Sequence, residues 1–255
     1  MHFRELDVAS LRRMELRYTA SGNSLNGLAV YLRSLRALFN KARQGGVIPK
    51  DCYPFDTYHI RQVKTHKSAL DKAQLKLLAS MELKPGSLTE LYHRVFFLSF
   101  HLRGMNLKDM AYLKVNDIYE GKIHYTRAKT HEPFVIGLTS AINEILEPYL
   151  KEKSAEDFVL PILSNVKSYQ AREFDQFQHY QNHALKRWAR QLGLPRSLSM
   201  NTARHSWATI AKTLGINLAT ISEGLGHAAL RTTQIYLDNL PDSTLDEASG
   251  LITTL

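Results

Sequence analysis

The sequence of 255 residues has a single cysteine, no long apolar run and no signal-peptide core. Cys52 alone excludes an internal disulfide framework and a zinc site built on several cysteines. The longest strongly apolar stretch, residues 95–100, is far shorter than the roughly 20 residues that cross a bilayer. The first five residues carry no apolar core of the kind that directs secretion. These features predict a soluble protein of a reducing compartment, without membrane contact.

Several common catalytic motifs are also missing, because the sequence contains no GxGxxG, GxxxxGK[ST], GxSxG or HExxH. Asp175, His179 and His183 are spaced four apart, so a helix would place them on one face, as a metal site requires. Nothing nearby in the sequence completes a ligand set, and a solvated polar face is the better interpretation. We therefore predict no metal and no cofactor.

Basic residues are concentrated in the first quarter of the chain. Residues 1–67 contain twelve basic and five acidic side chains, a net charge of +7 out of the total of +9. Such an excess favours a polyanionic partner, and its position predicts a separate nucleic-acid contact module. A solvated basic surface is the alternative that charge alone leaves open.

The first region shows one strong helix. Ser24 is suited to cap a helix that runs to residue 44, with apolar residues at a spacing of 3.6 and two glycines at its end. Pro49 and Pro54 then disfavour helix. Residues 57–68 have the character of an extended basic stretch. We place a helical DNA-binding domain at residues 1–62 and a linker at 63–68.

The remaining residues, 69–255, are predicted to form one domain that is mainly α with a small antiparallel β-sheet. Ser87 and Glu90 have capping-box spacing before the apolar run 91–102, Gly104 breaks that helix, and a short helix follows. Residues 122–127 and 133–138 alternate as two strands do, joined by a turn around Lys129. Further helices are expected at 140–151, 171–192, 202–214, 218–224 and, in the tail, 245–255.

The most informative motifs lie near the C-terminus. They are Ala203-Arg-His-Ser-Trp-Ala-Thr209, then Leu225-Gly-His227, then Tyr236 nine positions later with two threonines between. With these motifs the chain resembles the tyrosine recombinase (phage integrase) family, and it is most similar to integrases of conjugative transposons and mobile elements of anaerobic gut bacteria. The resemblance extends back through Arg103-Gly-Met105 and Asp109-Met-Ala-Tyr-Leu113 and into the first helix, so it covers essentially the whole chain.

The resemblance implies an enzyme that breaks and rejoins DNA through a 3′-phosphotyrosine, for integration, excision or inversion of a mobile element. Carried over by position, Tyr236 is the nucleophile and Arg204 and His227 contact the scissile phosphate. Lys129, on the hairpin turn, is the general acid. A metal-free reaction needs such cationic donors, because negative charge develops on the phosphate oxygens. His205, directly after Arg204, is expected to be structural.

Two positions depart from the family pattern. Asn201 stands where the family has a histidine three residues before Arg204, and an amide cannot shuttle a proton at neutral pH. Asn106 stands eleven residues before Asp117, where the first family arginine is expected. Arg103 is the favoured replacement for that arginine, Arg127 is the second candidate, and absence of both is the third possibility.

The resemblance also predicts the partners. They are double-stranded DNA and further copies of the chain, as a homotetramer on DNA and a monomer or dimer without it, in the bacterial cytoplasm at the nucleoid; an accessory DNA-bending protein is left open. The tail helix would dock on a neighbouring copy. Candidate DNA-binding residues are Arg33, Arg36, Lys41, Arg43, Lys64 and Arg127.

Two alternative functions are left open, and the first follows from the shortness of the first region. About 60 residues precede the linker, so the DNA-binding domain is expected to be partial, from a truncated gene, a misassigned start or a decayed element. The chain would then be a disabled DNA-binding remnant. A topoisomerase IB-like relaxing enzyme is less favoured, because the motifs are those of mobile elements.

Overall fold

The structure is a computed structural model that describes residues 3–49, 52–63, 69–194, 198–226 and 233. The chain divides into two compact units, Met1–His66 and Lys67–Leu255. Both are helical in their described parts, and the second also contains a three-stranded antiparallel sheet. The predicted class, mainly α with a small antiparallel sheet, is confirmed.

Two helices form the body of the first unit: α1 (Val8–Ala20) and α2 (Leu25–Gln44). The prediction of α2 is confirmed, since the Ser24 side chain accepts a hydrogen bond from the Gly27 N–H and Gly45 follows the last helical residue. Helix α1 was not predicted, although Asp7 caps it by accepting a hydrogen bond of 2.7 Å from the Ser10 N–H.

Apolar side chains from both helices and from the segment after them form one small core. Pro54 still allows one helical turn. It is the first residue of the 3-10 turn Pro54–Asp56, a position at which the missing N–H of proline costs nothing. The ring of Phe39 is fully buried and meets the rings of Phe3, Tyr53 and Phe55 edge to face. The buried members of this core are Leu11, Leu28, Leu32, Phe39, Ala42, Ile48, Phe55 and Tyr58.

Residues 57–63 are held by bonds to the helices of this unit, although residues 58–63 form neither helix nor strand. The buried Tyr58 hydroxyl donates a 2.6 Å hydrogen bond to Glu15 Oε2, and Arg61 forms an ion pair with the same carboxylate. The Asn26 side chain donates to the Val63 carbonyl at 2.8 Å and accepts from the Val63 N–H at 2.9 Å. These long-range bonds hold the segment, and they cannot be inferred from its local sequence.

The second unit is organised around a buried helix, α4 (Leu88–His101), which packs against α6, α7 and α8. Ser87 caps it as predicted, but Glu90 accepts from the Gly86 N–H rather than from Ser87. The other helices are α3 (Lys72–Ala79), α5 (Leu107–Ala111), α6 (Ser140–Leu150), α7 (Lys167–Gln191), α8 (Met200–Thr213) and α9 (Leu218–Leu225). Helix α3 was not predicted, and α7 begins four residues before the predicted start.

The sheet has the order β1-β2-β3, with strands at Ile118–Tyr119, Lys122–Thr126 and Pro133–Gly137. The two predicted strands are confirmed as β2 and β3, and the two-residue β1 was not predicted. Their register, Lys122 opposite Gly137 and Thr126 opposite Pro133, leaves residues 127–132 as the connecting turn. This hairpin turn carries Lys129.

Two further expectations concern membrane-spanning helices and the tail of the chain. In the described part of the chain, no helix is both long enough and apolar enough to cross a membrane. The predicted tail helix at 245–255 lies outside the described residues, as does Lys64 of the linker.

We predict that Tyr58→Phe lowers the free energy of unfolding of the first unit by about 1–3 kcal/mol at pH 7, because a buried carboxylate loses a donor. Burial raises the pKa of Glu15, but the hydrogen bonds from Tyr58 and Arg61 outweigh it and leave that pKa below its ordinary value of 4.5. The stabilisation is therefore present above pH 4.5 and lost as the pH falls through the lowered pKa.

Urea unfolding of the full chain at several pH values measures this effect. Tyr31→Phe, which alters a largely exposed tyrosine of α2, is the matched control and should change little. A penalty for Tyr58→Phe that is the same at pH 7 and below pH 4 would contradict a bond to an ionised Glu15.

Candidate active site

Arg204 is the best-anchored of the predicted site residues. It lies on α8 with 7% of its surface exposed. Its Nη1 donates a 3.0 Å hydrogen bond to the Gly104 carbonyl and its Nη2 donates to the Leu225 carbonyl. The guanidinium thus joins the loop after α4 to the end of α9, and the carbonyl dipoles compensate its burial.

Both the backbone conformation at position 104 and the contact with Arg204 require glycine there. Its φ of +76° lies in the left-handed region that glycine tolerates. A Cβ at this position would stand 2.5 Å from both Cβ and Cγ of Arg204, so the arginine stem packs directly on the glycine backbone. Gly104 therefore does more than break a helix; it permits the close approach of Arg204.

Arg103 lies beside the same junction, and Asn106 lines the cleft next to Arg204. Arg103 has a φ of +56°, which is uncommon for a residue with a side chain, and its Cδ is 3.6 Å from where a Cβ of Gly224 would stand. Asn106 precedes α5 and its amide nitrogen is 3.5 Å from Asp109 Oδ2. The stem of Arg103 thus lies against Gly224 of α9.

The hairpin that bears Lys129 is tied at its base. Asp109 of α5, with 8% of its surface exposed, accepts a 3.0 Å hydrogen bond from the Ala128 N–H through Oδ1. The Arg127 N–H donates to the Glu132 carbonyl at 2.9 Å and closes the turn. Lys129 itself is exposed, as a proton donor to a bound substrate must be.

Arg127 is buried, with 8% of its surface exposed. Its Nη1 donates a 2.5 Å hydrogen bond to the Gly226 carbonyl, and its guanidinium carbon lies 5.9 Å from the centre of the Phe134 ring. The structure therefore places this candidate DNA-binding residue against the backbone at the end of α9. Two arginines, Arg204 and Arg127, donate to the consecutive carbonyls of Leu225 and Gly226.

Tyr125 of β2 lies among these charges and was missed in the sequence. Burial, and then the Asp109 carboxylate, raise the pKa of its hydroxyl to about 12, although Arg127, Arg204 and Arg103 act to lower it. The half-buried phenol of Tyr125 thus interacts electrostatically with all three arginines. Asp109 lies in a motif that was recognised in the sequence, but no role was assigned to it. Tyr125 follows His124 on a strand, and nothing in the local sequence marks it as a site residue.

A cleft of about 260 Å³ opens beside Arg204. Asn201 is exposed in the first turn of α8 and lines the cleft together with Asn106 and Lys108. The N-terminal turn of a helix favours anions, and amides can donate hydrogen bonds to phosphate oxygens. His205, the next residue after Arg204, is half-buried.

Two of the predicted catalytic residues, His227 and Tyr236, lie outside the described residues. The described chain reaches Gly226, directly before His227, and includes the buried Thr233 three positions before Tyr236. Helix α9 and the left-handed Gly226 therefore lead the chain from the Arg204 junction into the segment that carries both residues.

The histidine-rich face of α7 has no metal-binding arrangement. The rings of His179 and His183 are 4.6 Å apart, centre to centre. Across the part of the chain that the structure describes, no three His, Cys, Asp or Glu side chains are grouped so as to hold a metal ion.

The basic residues of α2 are exposed in the first unit. On a helix with about 100° between residues, Arg33, Arg36 and Arg43 fall within roughly 80° of one another, and Lys41 falls on a different side. Arg43 also stacks over the Tyr53 ring at 4.4 Å and lies 4.0 Å from Asp56. Arg33 and Arg36 are the pair most clearly presented to a polyanion.

Comparisons with known proteins agree on one relationship. The model of the phage integrase family matches residues 68–242. The tyrosine recombinase XerD of Listeria monocytogenes serotype 4b is 27% identical over 242 residues, which cover 84% of this chain and 72% of that protein.

Solved structures show that the fold is shared. The Tn1549 transposon integrase in complex with circular intermediate DNA superposes with a TM-score of 0.67 at 15% identity, covering 97% of this chain and 86% of that one. A lambda integrase tetramer bound to a Holliday junction gives a TM-score of 0.65 at 17% identity, covering 89% and 65% of the two chains.

We predict that Gly104→Ala destabilises the second unit by about 2–5 kcal/mol, because it adds an overlap with Arg204 to the strain of a positive φ. Gly215→Ala is the matched control, since Gly215 has the same φ of +76° but nothing within 4 Å of its Cβ position. Thermal unfolding of both variants measures the difference, and equal losses would contradict the close contact with Arg204.

Proposed function

This chain belongs to the phage integrase family, and from that membership we propose that it is a tyrosine recombinase that cuts and rejoins double-stranded DNA at specific sites. The family model spans most of the second unit, from residue 68 to residue 242. The observation that carries the proposal is the junction at Arg204. Arg204 joins the loop of Arg103 to the end of α9 before His227, and Arg127 ties the hairpin of Lys129 to that same end.

We assign the covalent step to Tyr236. Its oxygen attacks the scissile phosphorus, the new O–P bond forms, the bond to the 5′-oxygen breaks, and a 3′-phosphotyrosine results. The phosphodiester energy is retained in the new ester, so the reverse step rejoins DNA without a nucleotide cofactor. Lys129 supplies the proton that the departing 5′-oxygen takes up.

The arginines stabilise the charge that develops on the phosphate. Arg204 and Arg103 offer planar donor groups that match two phosphate oxygens, and His227 adds a further donor. Arg204 is already oriented by its two carbonyl bonds, so little rearrangement is needed when the phosphate arrives. Arg103 is our assignment for the first family arginine, because its stem lies beside α9 and it carries a guanidinium, whereas the Asn106 amide carries no charge.

Asn201 contributes a hydrogen bond rather than a proton transfer. It lines the cleft beside Arg204 and its amide does not titrate near neutral pH. We therefore assign acceptance of the Tyr236 proton to water in this cleft.

DNA and further copies of the chain are the proposed partners. The integrases of Tn1549 and lambda are solved as DNA complexes, and the lambda protein as a tetramer on a junction. By analogy we propose a tetramer on DNA for this chain, at the bacterial nucleoid. Arg33, Arg36, Lys41 and Arg43 of α2, with Lys64 of the linker, supply phosphate contacts from the first unit.

The first experiment is a covalent trap. We expect the wild-type chain, incubated with nicked duplexes tiled across the DNA that flanks its gene, to form an adduct that survives detergent. Tyr236→Phe should form none, because it lacks the nucleophilic oxygen. Tyr180→Phe, a change at an exposed tyrosine of α7, is the matched control and should keep the adduct. An adduct in Tyr236→Phe would overturn the assignment; DNA binding without any adduct would favour a DNA-binding remnant.

The role of α2 makes a separate prediction. Each of Arg33→Gln and Arg36→Gln should reduce the slope of log affinity against log salt by about 1, because each removes one phosphate contact. Fluorescence anisotropy with a labelled duplex between about 50 and 200 mM salt measures that slope. Lys151→Gln, which removes an exposed charge that directly follows α6 and pairs with Glu147, is the control. Unchanged slopes in both arginine variants would place the phosphate contacts elsewhere.

A further inference from the structure

The β2–β3 hairpin contacts the end of α9 at the peptide group between Gly226 and His227. Arg127 Nη1 donates to the Gly226 carbonyl at 2.5 Å, and the ring of Phe134 packs where a Cβ of residue 226 would stand. Tyr125 stacks on Phe134 with centroids 5.4 Å apart and planes 24° apart. One residue from β2, one from β3 and the first residue of the turn therefore share this contact.

Glycine is the residue that this contact requires at position 226. Its φ is +62°, in the left-handed region at the end of α9. A Cβ would overlap the Phe134 ring and lie 2.9 Å from Arg127 Nη1. The hairpin thus touches bare backbone, and its position is fixed by the turn that leads into His227.

The buried charge of Arg127 is compensated at this turn. With 8% of its surface exposed, it needs compensation inside the protein. The carbonyl end of a helix provides it, since the last carbonyls of α9 lack partners within the helix and carry its negative dipole end. Arg204 uses the Leu225 carbonyl and Arg127 the Gly226 carbonyl of this end.

Building on the proposed function, we propose that Arg127 is a positioning residue that locks the hairpin onto α9 so that Lys129 is held at the site. Arg127 is fixed by Gly226 and Ala128 is fixed by Asp109, and Lys129 is the next residue along the turn. Loss of the Arg127 bond would leave the phosphate contacts of Arg204 in place but would release the proton donor. Arg127 then acts through Lys129 and not as a contact to the phosphate.

A change of leaving group tests this role. In a duplex whose scissile 5′-bridging oxygen is replaced by sulfur, the departing group is a thiolate, which leaves without a proton because a thiol pKa is near 8.5. Cleavage of that duplex therefore needs no general acid. We measure adduct formation by Arg127→Met on oxygen and sulfur versions of a duplex that the wild-type chain cleaves.

We expect Arg127→Met to be slower than wild type by about 100-fold on the oxygen duplex, as the loss of a general acid is, and to regain most of the wild-type rate on the sulfur duplex. Lys129→Ala should show the same pattern. Arg204→Met should be slow on both duplexes, because it removes a phosphate contact. Arg94→Met, which breaks a pair with Glu90 inside α4, is the matched control and should match wild type on both.

Three outcomes overturn the inference. Arg127→Met could cleave the oxygen duplex at the wild-type rate, it could stay slow on the sulfur duplex while Lys129→Ala is rescued, or Lys129→Ala could show no dependence on the leaving group. Recovery on sulfur also demonstrates that the variant is folded. If Arg127→Met does not fold, Arg127→Lys decides instead, because it keeps the charge and one donor; it should show a smaller loss, again confined to oxygen. A wild-type chain that cleaves no duplex would instead refute the proposed function.

Discussion

The candidate site depends on one buried guanidinium. Arg204 bonds to carbonyls that lie 100 residues before it and 21 residues after it, so it connects segments that no local sequence preference would bring together. A charge buried to this extent is tolerated only while those carbonyl oxygens accept hydrogen bonds from it. Gly104 makes the approach possible, since any larger residue would displace the arginine stem. This junction joins the loop of Arg103 to the end of α9, and Arg127 ties the hairpin to the same end of α9.

Electrostatics then explain what the site is suited to bind. Arg103, Arg127 and Arg204 all act on the hydroxyl of Tyr125, whose pKa is nevertheless raised by burial and by Asp109. The carboxylate of Asp109 and the carbonyl end of α9 balance part of the positive charge. A phosphate diester would balance more of it, beside two arginines of which only 7% and 8% of the surface is exposed. The charge arrangement therefore favours an anionic substrate before any particular DNA sequence is considered.

Local signals were sufficient for some elements and insufficient for others. Helix α2 and helix α4 were predicted because each begins at a capping serine and carries a clear apolar pattern, and the hairpin was predicted from alternating residues around a turn. Helix α1 has a weak apolar pattern, and β1 has only two residues, so neither carries a strong signal. The pairing of Glu15 with Tyr58 spans 43 residues and depends on the completed fold. In the same way, the motifs pointed to Arg204 and Lys129, but the contacts of Asp109 with Ala128 and of Arg127 with Gly226 are visible only in the fold.

The two carbonyls at the end of α9 make the site a coupled unit. Leu225 and Gly226 are consecutive, so a shift in the peptide that holds Arg127 also moves the peptide that holds Arg204. The hairpin bearing Lys129 is tied to the first of these arginines, and the loop of Arg103 is tied to the second through Gly104. Residues that share partners in this way are expected to contribute non-additively. A change in the backbone of this turn would therefore disturb both the proposed phosphate contact of Arg204 and the proposed proton donor Lys129, whereas loss of the Arg127 side chain alone leaves the bond of Arg204 to the Leu225 carbonyl in place.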